Sequence, residues 1–118
     1  MPKPKLSTET NLRLQIKHGV AIGPGKAALL EHIVELGSIS RAGKAMGMSY
    51  RTAWLLVDSL NTHFKRPLVL SSKGGANGGG AQLTALGTDV LRRYRAMERR
   101  ALQAISKDVE HLSSLIKG

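Results

Sequence analysis

The sequence predicts a mainly α chain with a small β part, built as one domain over residues 12–118. Three observations predict it. A short alternating segment opens the chain's apolar pattern, three segments of helical periodicity follow, and a final helical stripe runs from Ala85 to Lys117. At 118 residues the chain is long enough to bury a core without disulfides or metals, and 42% apolar content is that of a globular protein. Aromatics are only 3%, so the core must rest on Leu, Ile, Val, Ala and Met.

Residues 1–11 hold prolines and lysines and little to bury, and read as a flexible basic tail. Leu12 to His18 alternates, with Leu12, Leu14 and Ile16 on one side and Arg13, Gln15 and Lys17 on the other, the pattern of a half-buried strand. Val20 and Ile22 suggest a second short strand before Gly23-Pro24-Gly25 breaks the chain. From Lys26 the period becomes helical, with Leu29, Leu30, Ile33, Val34 and Leu36 on one stripe and Gly37 as its stop.

A short second helix is expected from about Ser40 to Met46, capped by Ser38 or Ser40 and ended by Gly47. Ser49 then caps a third, about Tyr50 to Thr62, whose stripe is Tyr50, Ala53, Trp54, Val57 and Leu60. Leu68-Val69-Leu70 and Ala81-Gln82-Leu83 read as two strands around a glycine-rich tip. Thr84 caps the last helix, about Ala85 to Lys117, with apolar residues at spacings of three and four.

The middle of this series carries the functional signal. Two short helices that cross closely need small side chains where their backbones meet, and Ala42 and Gly43 supply them. Gly47 tolerates the left-handed turn between them. The helix that follows offers Ser49, Tyr50, Arg51 and Thr52 outward from its first turn. Arg51 can donate a fork to guanine O6 and N7, and the free N–H groups of a helix start favour an anion. This is a helix-turn-helix over residues 40–62. The hairpin over residues 68–84 then reads as a wing, and the fold as a winged helix-turn-helix. Arg41 and Lys44, with Ser72, Lys73 and Asn77 on the wing, are expected to hold DNA backbone.

Charge points the same way. The chain carries 18 Lys and Arg against 8 Asp and Glu, a net +10, and its isoelectric point of about 10.6 is that of a polyanion binder. Other chemistries find no support. There is no cysteine for disulfides, thiol catalysis or thiolate metal sites. His18, His32, His63 and His111 have no zinc-ligand spacing. The glycine-rich tip is followed by Ala81-Gln82 where a nucleotide-binding P-loop needs Lys-Ser/Thr. No nucleophile, base and oxyanion set is recognisable, so no enzyme activity is expected. No apolar run is long enough for a membrane span, and a cytoplasmic location is expected.

Arg92, Arg93, Arg95, Arg99 and Arg100 crowd the last helix. They suit either the solvated face of a dimer helix or contact with phosphate. A helix this long on so small a core is expected to have a partner, and Leu29, Ile33, Val90, Tyr94, Met97, Ala101 and Ile105 are the expected dimer contacts.

Leu29 to Ala101 resembles the N-terminal DNA-binding domain of ModE-type molybdate-responsive regulators and, more broadly, the winged helix-turn-helix of LysR-type regulators. The matching stretches are Gly37-Ser38-Ile39-Ser40, Ala42 through Tyr50, Ala53-Trp54, the loop Lys73 through Ala81, and Leu83 through Gly87. The resemblance implies a symmetric homodimer on a palindromic operator in double-stranded DNA, and control of molybdenum-related genes. It also implies a C-terminal molybdate-binding region of small β-barrels, which these 118 residues do not contain. No cofactor is therefore expected in this chain, and molybdate only through a separate sensing domain. The alternative readings are a nonspecific architectural DNA-binding protein and a protein-interaction module that uses the long helix.

Overall fold

The computed structural model describes residues 11–72 and 80–118. Its elements are β1 (Leu14–Gln15), β2 (Ala21–Ile22), α1 (Pro24–Leu36), α2 (Ile39–Ala45), α3 (Tyr50–His63), β3 (Val69–Ser71), β4 (Ala81–Leu83) and α4 (Ala85–Ser114). The winged helix-turn-helix with a long final helix is thus present. The expected tail over residues 1–11 lies outside the described residues except for Asn11, and so does the wing tip over residues 73–79.

The N-terminal strand is shorter than its alternation predicts. β1 stops at Gln15, and β2 returns antiparallel with Leu14 opposite Ile22 and Gln15 opposite Ala21. A 3₁₀ turn, Lys17–Gly19, joins them, with His18 at φ 58° and Gly19 at φ 75°. These left-handed residues reverse the chain so that Ile16 N donates to Val20 O at 2.7 Å. Ile16 sits at the reversal and is 58% exposed, whereas the alternation placed it inward.

Gly23-Pro24-Gly25 does not break the chain but starts α1. Proline's fixed φ suits the first helical position, and its missing N–H costs nothing there. Leu29, Leu30 and Ile33 are fully buried, while Val34 of the predicted stripe is 62% exposed. Gly37 closes the helix in the left-handed conformation, as expected.

α1, α2 and α3 surround the main core, made of Leu29, Leu30, Ile33, Ile39, Ala42, Ala53, Val57 and Leu60 and closed by Leu68 and Val69. The tightest crossing is where Gly43 of α2 meets Ala53 of α3. A β-carbon on Gly43 would stand 2.6 Å from that of Ala53, well inside contact distance. The two small residues set the helix-turn-helix angle for that reason.

A second cluster holds α4 to the N-terminal hairpin through Ile22, Ala27 and Tyr94, with Leu14, Val90 and Leu91 packed against it. Tyr94 is fully buried, and its hydroxyl donates to Leu12 O at 2.6 Å. Arg95 adds an ion pair across to α1, donating through Nε (3.0 Å) and Nη2 (2.5 Å) to the two carboxylate oxygens of Glu31. Its Nη1 donates to Glu98 at 2.9 Å. The forked pairing with Glu31, ahead of that with Glu98, holds the guanidinium pKa above its ordinary range.

Neither cluster includes a residue of α4 beyond Tyr94. The helix has 30 residues, about 45 Å at 1.5 Å per residue, so its second half projects from the body. It ends at Ser114 rather than Lys117, with Leu115 as its cap.

Three of the expected dimer contacts are corrected by this packing. Leu29 and Ile33 lie in the main core and Tyr94 in the second, each with no surface left for another chain. Apolar periodicity marks the buried face of a helix without saying which neighbour buries it. Val90 is likewise packed against both clusters.

Candidate nucleic-acid interface

The interface is built on two serine caps. Ser38 Oγ accepts from Arg41 N at 3.1 Å and starts α2. Ser49 Oγ accepts from Thr52 N at 3.1 Å and starts α3. Each cap satisfies one of the donors that a helix start leaves open. Between them Gly47 turns the chain at φ 72°, and Met48 N donates back to Gly43 O at 3.0 Å.

The expected recognition residues all stand on the exposed start of α3. Ser49, Tyr50, Arg51 and Thr52 are exposed, and Arg41 and Lys44 are exposed on α2. The hydroxyls of the first turn are not equivalent. Ser49 Oγ caps the helix and also donates to Thr52 Oγ1 at 2.9 Å, so its proton is already used. Thr52 accepts that bond and keeps its own proton for a phosphate or a base edge. Ser49 therefore positions the turn, and Thr52 with Arg51 supplies the outward donors.

The electrostatics of the segment are one-sided. Between Glu35 and Asp58 the chain has no acidic residue, while Arg41, Lys44 and Arg51 all lie there. The positive end of the α3 dipole adds to the same field.

Periodicity puts Tyr50 and Trp54 on one stripe with Ala53, Val57 and Leu60, while the first-turn reading turns Tyr50 outward; the structure turns both rings outward. Ala53, Val57 and Leu60 fill the core, while Tyr50 is 61% and Trp54 36% exposed. The two rings meet edge to face, with centroids 6.1 Å apart and planes at 67°.

The wing is fixed to this unit at its base. β3 and β4 pair antiparallel, Val69 opposite Leu83 and Ser71 opposite Ala81. Ala81 N donates to Gly37 O at 2.9 Å, tying the hairpin to the end of α1. Ser72, expected to touch DNA, closes the loop's neck: its N donates to Gly80 O at 2.9 Å, and its Oγ accepts from Gly80 N at 3.3 Å. Its hydroxyl proton remains available on an exposed residue. Lys73 and Asn77 lie outside the described residues.

Two side chains that periodicity did not single out align the wing with α3 and α4. Asn61 receives Leu68 N (2.9 Å) and Val69 N (3.0 Å) on Oδ1, and its Nδ2 donates to Val69 O at 3.0 Å. Thr84, expected only as a cap, accepts from Gly87 N at 2.9 Å and also donates to Pro67 O at 2.8 Å. Nothing in residue spacing announces such backbone clamps.

The arginines of α4 are largely engaged within the chain. Arg92 and Arg93 pair with Asp89 at 2.5 and 2.8 Å, and Arg95 with Glu31 and Glu98. Hydrogen bonding to Arg93 chiefly holds the Asp89 carboxyl below its ordinary pKa. Arg99 and Arg100 are exposed further along. Among the described residues no group of His, Asp and Glu could hold a metal ion, and no helix is long and apolar enough to cross a membrane.

The model of the bacterial regulatory helix-turn-helix protein, lysR family, matches residues 26–88. The chain belongs to that family. The lysR-family match runs from α1 through the helix-turn-helix and both wing strands into the first turn of α4. It leaves out the N-terminal hairpin and most of the long helix.

Within this helix-turn-helix group the chain is similar to ModE proteins. It is 38% identical over 100 residues to the molybdenum transport protein ModE of Azotobacter vinelandii, covering 85% of this chain and 37% of that one. It is 36% identical over 93 residues to the transcriptional regulator ModE of Haemophilus influenzae, covering 79% and 36%. It is 32% identical over 106 residues to the DNA-binding transcriptional dual regulator ModE of Escherichia coli K12, covering 87% and 40%. The chain thus spans less than half the length of these relatives.

Proposed function

We propose that this chain is a sequence-specific, DNA-binding transcriptional regulator that acts as a homodimer on a palindromic operator in molybdenum-related gene control. The observation that carries DNA binding is the exposed first turn of α3, with Arg51 and Thr52 facing outward from a stretch free of acidic residues. In this reading α3 enters the major groove. Arg51 and Thr52 meet base edges or adjacent phosphates, and Arg41, Lys44 and the wing hold the backbone.

The homodimer is supported by the projecting half of α4. Ile105 (41%) and Leu112 (61%) expose apolar surface along it, Leu115 (68%) and Ile116 (72%) do so just past its end, and Met97 and Ala101 lead into that stretch. A second copy of the same helix would cover it. The molybdenum connection rests on the similarity to ModE proteins. Any molybdate response belongs to a sensing unit other than the residues described, and no cofactor is assigned to them.

Selection of bound duplexes from a random library tests the reading. A palindromic motif, with half-sites one or more helical turns of about 34 Å apart, is the expected result. Specific binding should exceed binding to random DNA by about 10³-fold or more. Equal binding to all duplexes would leave a nonspecific architectural protein instead.

A further inference from the structure

The exposed pair Tyr50 and Trp54 is the feature of α3 that the proposed function leaves unused. A helix normally turns its aromatic residues toward the core, yet the core beneath α3 is filled by Ala53, Val57 and Leu60. Tyr50 and Trp54 lie one turn apart on the same face, so their rings are neighbours. Long side chains on a helix lean toward its N-terminus, which brings the Trp54 ring over the first turn and into the edge-to-face contact with Tyr50. That contact stiffens both rings and leaves an apolar platform beside Arg51. Leu55, 58% exposed, follows directly.

The surroundings say what this platform meets. Basic groups outnumber acids around it: Arg51 stands one turn before Trp54 and α2 carries Arg41 and Lys44, against the single carboxylate of Asp58 one turn further along α3. A polyanion that also presents apolar groups satisfies both features. In duplex DNA the major groove offers one such group, the C5-methyl of thymine, beside the phosphates that the basic residues attract.

We propose that Trp54, steadied by Tyr50, is a specificity-determining residue that reads thymine through its C5-methyl, next to the base edge reached by Arg51. The inference rests on the placement of α3 in the major groove. It adds a preference for thymine at a defined position, which the basic residues would not provide.

The test uses the chain with its selected operator and with duplexes in which single thymines are replaced by deoxyuridine, which lacks only the methyl. The unaltered protein should bind one such duplex per half-site about fourfold more weakly, the effect of one buried methyl-sized group. Trp54→Ala should bind more weakly overall and lose that distinction, its thymine-to-uracil ratio falling to about one. Trp54→Leu, which keeps apolar bulk, should retain part of it and guards against loss through misfolding. Trp54 is the only tryptophan, so its fluorescence should also change when the operator binds.

A thymine-to-uracil ratio unchanged by Trp54→Ala, with specific operator binding intact, overturns the inference and leaves the proposed function standing. Absence of any preference for the operator over random DNA overturns both.

Discussion

Asn61 on α3 and Val69 on β3 exchange hydrogen bonds in both directions: Val69 N donates to Asn61 Oδ1 and Asn61 Nδ2 donates to Val69 O, each at 3.0 Å. Leu68 N donates to the same Oδ1 at 2.9 Å. One amide thus does for the start of the wing what a neighbouring strand would do, and fixes the angle between the wing and α3. Leu68 and Val69 are buried, so water cannot readily replace it. Asn61→Ala should cost about 1–3 kcal/mol for the orphaned donors, read as a lower denaturation midpoint with an unchanged slope. Asn61→Asp keeps the acceptor but sets a carboxylate against Val69 O, and should be destabilising too.

Gly87 sits where α4 passes the backbone of Leu68. A β-carbon there would lie 2.1 Å from Leu68 O, an impossible approach to a carbonyl held on its other side by Thr84 N. Gly87→Ala should therefore lose about 1–3 kcal/mol or more through forced backbone movement. Gly25→Ala is the control, since nothing lies within 4 Å of its β-carbon position. It should be neutral or stabilising by up to about 1 kcal/mol. Thermal unfolding of the two variants compares them directly.

Tyr94 links stability to alkaline pH. Burial, and then the negative charge of Glu98, push its hydroxyl pKa above the ordinary 10.0. Below pH 10 the phenol is protonated whether the chain is folded or not, and its contribution is complete. As pH rises past 10 the unfolded chain gives up the proton first, so stability falls until the folded-state pKa is passed. Tyr94→Phe should lower stability near neutrality by about 0.5–1.5 kcal/mol for the lost bond to Leu12. It should also remove part of the decline above pH 10, visible in denaturation curves of both proteins from pH 7 to 11.

DNA affinity should fall steeply with salt. For about 6–10 phosphates neutralised, the loss from 50 to 200 mM is about 10³–10⁵-fold. Arg51→Ala should cost about 1–3 kcal/mol on the best operator and relax the preference at one base position. Lys44→Ala should weaken all duplexes alike and flatten the salt slope by about 1. Titrations of each variant at several salt concentrations distinguish a base reader from a backbone contact.

Ile105→Glu places a charge in the middle of the apolar surface of the projecting helix. Sedimentation should show the parent chain as a dimer and this variant shifted toward monomer. Leu29→Ala should instead lower the free energy of unfolding by about 2–5 kcal/mol, because Leu29 is a core residue. A monomeric parent chain would remove the homodimer from the proposed function.

The helix-turn-helix was legible in the sequence because local chemistry dictates it. Ser38 or Ser40 was expected to cap α2, and Ser38 does. Ser49 caps α3 and Gly47 makes the turn through interactions a few residues apart, and Gly43 sits at the close crossing as expected, although its partner there, Ala53, is shown by the packing. The overall charge and the exposed basic residues likewise follow from composition.

Only the tertiary structure decided which apolar residues face the core and which face outward. Periodicity cannot tell a stripe that meets its own chain from one that meets something else. Leu29, Ile33 and Tyr94 therefore moved from an expected interface into the core, and Trp54, which shares its stripe with the core residues Ala53, Val57 and Leu60, faces outward. Bonds such as those of Asn61 with Val69, or of Tyr94 with Leu12 across 82 positions, depend on where distant backbone comes to rest. No local pattern encodes that placement, because it results from all the helices packing together.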